Sequence, residues 1–91
     1  MGGMALDKKW SELSFSQKRH RIYHVVKLRR LAFWRVVSKE AQKYFASVDL
    51  TADNVDSVKD ELLNVYLSRI EDNFVFNKED KINFINKLLG D

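Results

Sequence analysis

A chain of 91 residues, 45% apolar and 32% charged, has room for one core and the composition of a folded domain rather than of a disordered segment. It contains no cysteine, so disulfides and thiolate metal sites are excluded and stability must come from packing. The net charge of +3 hides an asymmetry, because residues 1–45 hold eleven Lys/Arg against three Asp/Glu and residues 46–91 hold five against ten.

Opposed halves of this kind either fold onto each other and compensate, or leave a basic surface for an acidic protein, a membrane face or nucleic acid. No run of about 18 apolar residues occurs, so no transmembrane helix is expected. The opening MGGMALDKKW lacks the apolar stretch of a secretory signal, and the expected location is cytoplasmic. Residues 1–91 are read as a single helical domain, with residues 1–6 loose.

Proline is absent, Gly90 is the only glycine beyond position 3, and no sustained apolar/polar alternation occurs. These features predict an all-α fold, a small bundle of three to five helices organised by one long, basic central helix. Asp7 is the expected cap of a short helix over Lys8–Leu13, whose Trp10 and Leu13 lie three residues apart and face the same way. Ser14 or Ser16 then caps the long segment Ser16–Ala46.

At 100° per residue, Ile22, Val25, Val26, Ala32, Phe33, Val36 and Val37 share one side of that segment, and Leu31, Trp34, Ala41 and Phe45 an adjoining one. The remaining polar strip holds Gln17, Arg21, His24, Arg35, Lys39 and Gln42, while Arg29 falls inside the apolar arc and needs a carboxylate or an edge position. A helix of about 31 residues would span roughly 46 Å, too long for a domain whose radius of gyration is about 12 Å. It must therefore bend, with the stripe changing phase around Lys27–Leu31, or share its surplus with a second copy.

Thr51 is the expected cap of a helix whose Val55, Val58, Leu62, Val65, Tyr66 and Ile70 recur at three- and four-residue intervals to about Asp72. Asn73–Phe76 reads as a turn that takes Phe74, Val75 and Phe76 into the core. Asn77 with Asp80 three residues later resembles a capping box for a last helix, whose stripe is Ile82, Ile85, Leu88 and Leu89 and which Gly90 stops.

His20 and His24 have the i, i+4 spacing of two metal ligands, but Lys18, Arg19, Arg21 and Lys27 surround them and would repel a dication. In DLTADNVDSVKD, Asp49, Thr51, Asp53 and Asp60 occupy calcium-loop positions, yet Asn54 replaces the turn glycine, and a capped helix start explains the same residues. There is no nucleophile elbow and no glycine-rich phosphate loop, so neither an enzyme nor a cofactor is expected. The strongest functional signal is nine Lys/Arg against Glu40 alone between Lys18 and Lys43, interleaved with Tyr23, Phe33, Trp34 and Tyr44. It implies a helical interaction or regulatory module that binds a protein partner or a second copy of itself. The alternative is a nucleic-acid binder holding phosphates. In either case the contact residues expected are Lys18, Arg21, Lys27, Arg30, Arg35 and Lys39.

Overall fold

The computed structural model describes residues 8–27 and 37–90. Among them are a 3-10 turn at Trp10–Glu12 and four α-helices, α1 (Phe15–Lys27), α2 (Lys39–Ser47), α3 (Val55–Asp72) and α4 (Lys78–Leu89), with no strand. Asp7, residues 1–6, Arg29 and the phase change after Lys27 lie outside the described residues.

The start of α1 is a reciprocal capping box. The Ser14 N–H donates to Gln17 Oε1 at 2.9 Å, and the Gln17 N–H donates back to Ser14 Oγ at 3.3 Å. A single helix from 16 to 46 does not form. Ser38 is extended, with φ −61° and ψ 155°, and its Oγ accepts the Ala41 N–H at 3.2 Å, so α2 begins afresh at Lys39. A capping serine, not a proline or glycine, makes this break.

Asn54, not the expected Thr51, stands at the N-cap position of α3 and makes no side-chain cap, whereas Thr51 closes the turn ahead of the helix. Its N–H donates to Asn54 Oδ1 at 2.8 Å while its Oγ1 accepts the Asn54 N–H at 3.2 Å, and Asn54 Nδ2 ties back to the Asp49 carbonyl at 2.9 Å. The polar residues that mimic a calcium loop thus hold a helix start. Along α3, Val55, Val58, Leu62, Tyr66 and Ile70 bury one continuous stripe. This stripe meets Ile22, Val25 and Val26 of α1 and Ile85, Leu88 and Leu89 of α4, so α1, α3 and α4 enclose the core while α2 packs on α1 through Phe45. Among the described helices α1, the start of the basic segment, is the one that touches all three others.

At the end of α4 the Gly90 N–H donates to the Asn86 carbonyl at 2.7 Å in an extended conformation. A Cβ on Gly90 would lie 2.7 Å from that same oxygen, so close approach and not a left-handed backbone demands glycine here. Asn77 stands at the N-cap position of α4, but it is left-handed (φ 56°) and makes no side-chain cap, so the capping box expected with Asp80 does not form. The larger departure is at the α3–α4 turn. Val75 is buried, whereas Phe74 and Phe76 are 95% and 74% exposed.

Candidate functional site

The six contact residues expected from sequence divide sharply in the structure. Lys18 is paired with Asp56 across the α1–α3 seam, Nζ to Oδ1 3.1 Å. Arg21 is only 2% exposed and belongs to the core, against the expectation that it faces outward. Lys27 and Lys39 are exposed, and Arg30 and Arg35 lie outside the described residues.

Arg21 is turned inward because its donors find acceptors there. Its Nη1 donates to the carbonyls of Lys87 and Leu88 at 3.3 and 3.2 Å, and its Nη2 donates to the Lys8 carbonyl at 3.0 Å. The α4 carbonyls are among the last of that helix, whose partial negative charge a guanidinium complements, while the aliphatic stem packs in the core. One side chain thus joins the N-terminal turn, α1 and the end of α4.

Beside it Trp10 is buried with its Nε1–H donating to Asp56 Oδ1 at 2.8 Å. Lys18 and Lys59 stand 5.5 and 5.2 Å from its ring centroid. The Trp10 and Lys18 hydrogen bonds hold the Asp56 carboxyl below the usual carboxylate range. Tyr66 in the core has its hydroxyl pushed up to about 12 by burial, and Tyr44, whose hydroxyl donates to Glu61 Oε1 at 3.1 Å, is raised mainly by that bond. These groups are structural, and none of them lines the groove beside α1.

With Arg21, Ile22, Val25 and Val26 inward, α1 leaves Arg19, His20, Tyr23 and Lys27 outward. Lys27 Nζ sits 4.6 Å over the Tyr23 ring, and the His20 and His24 rings stack at 6.2 Å. Among the described residues no three His, Asp or Glu side chains come together in a way that would hold a metal ion. The outward side borders a groove of about 450 Å³ between α1 and the α2–α3 connection. Its walls are Arg19, Tyr23 and Lys27 on one side and Val48, Asp49 and Leu50 on the other, with Ile22, Val26 and Phe45 at its base. That volume lies in the range of sites that enclose a small molecule or a few side chains. Both cations stand on the α1 wall, opposite Asp49.

The sequence reading missed the Leu50 wall and the two exposed phenylalanines. A signal for the second existed: in FVF a non-helical backbone alternates faces, so inserting Val75 forces both neighbours out. No helix among the described residues is long and apolar enough to cross a membrane. No family model, no curated protein and no solved structure matches this chain.

Proposed function

We propose that this protein is a non-catalytic binding module whose groove between α1 and the α2–α3 connection receives an acidic, aromatic-bearing segment of a protein partner. The observation that carries this reading is the pairing of a part-apolar groove with the exposed Arg19, Tyr23 and Lys27 along one wall. Aromatic and arginine side chains anchor protein contacts, and cations at the edge of an apolar recess select carboxylates flanking whatever enters it. Lysine over a tyrosine face presents its charge beside an apolar surface, which suits a segment carrying both. A cysteine-free chain suits a reducing compartment, and we place the module in the cytoplasm.

The test is a titration of the full chain with a fluorescent peptide of alternating Glu and Phe, followed by anisotropy. Binding should weaken as salt rises, and Lys27→Glu should weaken it at least about tenfold. No binding, or equal affinity for Lys27→Glu, would overturn the reading. The same outward face, with Arg19, His20, Tyr23 and Lys27, supports phosphate contact as the second reading. A single-stranded oligonucleotide that binds more tightly than the peptide, with a steep salt slope, would replace the protein-partner reading.

A further inference from the structure

We infer that the segment the groove receives is the 73–77 turn of a second copy of this chain, with Phe74 and Phe76 entering as a pair of anchors. This rests on the reading of the groove given above and names its partner. Two large aromatics side by side at 95% and 74% exposure make an apolar patch that a monomer gains nothing by keeping. They are not on a slack segment. Val75 is held in the core, Asn73 Nδ2 donates to the Arg69 carbonyl at 2.8 Å, and Lys81 Nζ donates to the Phe76 carbonyl at 2.9 Å. A turn fixed at both ends presents its anchors at low entropic cost, which is what a docking element requires.

Charge selects the occupant. Around the turn stand the exposed carboxylates Glu71, Asp72, Glu79 and Asp80. Two lysines stand among them, Lys78 at 3.7 Å from Glu71 and Lys81 on the Phe76 carbonyl, so four carboxylates against two ammoniums leave the surroundings of the turn net negative. The turn therefore offers aromatics framed by a net negative charge, and the groove offers an apolar base lined by Arg19 and Lys27 against Asp49 alone, which leaves it net positive. An anionic lipid surface would repel the same carboxylates.

The two features cannot meet within one chain. The groove includes Leu50, just before α3, and the turn follows Asp72 at its far end. Eighteen residues of helix hold them about 27 Å apart. Contact in trans is the remaining geometry, with the surface patch of one copy meeting a different patch of the next.

Sedimentation velocity with three versions of the full chain tests this: wild type, a groove variant (Tyr23→Ala with Lys27→Glu) and a turn variant (Phe74→Ser with Phe76→Ser). The mean mass of the wild type should rise with concentration between about 10 µM and about 1 mM, the range of a weak contact. Each variant alone should associate at least about tenfold more weakly, and an equimolar mixture should regain pairs, since one supplies an intact groove and the other an intact turn. The reversal Glu79→Lys, restored by Lys27→Glu on the second chain, repeats the test without touching an aromatic residue. Circular dichroism verifies that each variant stays helical. A wild type monomeric throughout, or a mixture with no recovery, overturns the inference. If the Glu/Phe peptide still binds, the groove reading survives alone, and if it does not, both fall. Binding of the turn to zwitterionic lipid vesicles without self-association would also overturn it.

Discussion

Two regions of this small bundle treat awkward side chains in opposite ways. At the seam of the N-terminal turn, α1 and the end of α4, an arginine and a tryptophan are buried and their N–H groups are matched by carbonyls and a carboxylate. At the α3–α4 turn, two phenylalanines that need no partner at all are left in water. Burial follows not from hydrophobicity residue by residue but from whether the backbone delivers a group to matching neighbours. Arg21 lies where helix α4 ends in unmatched carbonyls, and Phe74 and Phe76 flank the one position, Val75, that the turn can insert.

That contrast can be broken at either end. The largest effect is expected from Arg21→Ala, which leaves carbonyls of Lys8, Lys87 and Leu88 without these bonds and opens a void, for a loss of about 3 kcal/mol in a urea unfolding titration. Arg21→Lys should recover only part of it, since an ammonium cannot fork across three acceptors. An Arg21→Ala protein as stable as wild type would show that the seam does not depend on this residue. Trp10→Phe keeps the ring packing and removes the bond to Asp56, which should lower stability by about 1 to 2 kcal/mol. Ser38→Ala removes the cap that separates α2 from the preceding segment, for about 1 kcal/mol. Phe74→Ser should change stability by less than about 0.5 kcal/mol, because so little of the side chain is buried. A large loss there would mean that the turn is packed, not presented.

Acid should weaken the seam. The folded Asp56 carboxyl is held below its ordinary value of 3.8, chiefly by the Trp10 bond. Its contribution is complete above that value and is lost as pH falls below it, so the wild type should lose more stability than Trp10→Phe between pH 5 and pH 3. The difference is small because Asp56 is largely exposed, and a comparison of the thermal midpoints of the two proteins at the two pH values would resolve it.

Much of the architecture was legible in the chain. The α3 stripe from Val55 to Ile70, the α4 stripe and the Ser14 start follow from spacing and cap chemistry, whereas the N-cap of α3 falls on Asn54 and not on Thr51. The break before α2 was not, because the signal is a serine in the middle of a good helical pattern, and a serine caps only when the backbone ahead of it turns extended. A helical wheel sets Arg21 in the polar strip because it counts the charge and not the donors, three of whose bonds reach carbonyls of distant residues. Phe74 and Phe76 stand outside because apolar character alone does not bury a residue, and the turn inserts Val75 while leaving both its neighbours exposed. The groove needed tertiary structure altogether, since Tyr23 and Leu50 are brought together by the return of the chain through α2.

The central claim, that the α3–α4 turn of one copy seats in the groove of another, is tested most directly by paramagnetic relaxation between chains. The chain has no cysteine, so Ser68→Cys, at an exposed position of α3 ahead of the turn, gives a single attachment point for a nitroxide while leaving both phenylalanines and all four carboxylates in place. Mixed with isotope-labelled wild type, the spin-labelled chain should broaden amides of Arg19–Lys27 and Phe45–Leu50 and spare residues 73–77. Broadening confined to 73–77, or none at all at the highest concentration, would contradict it.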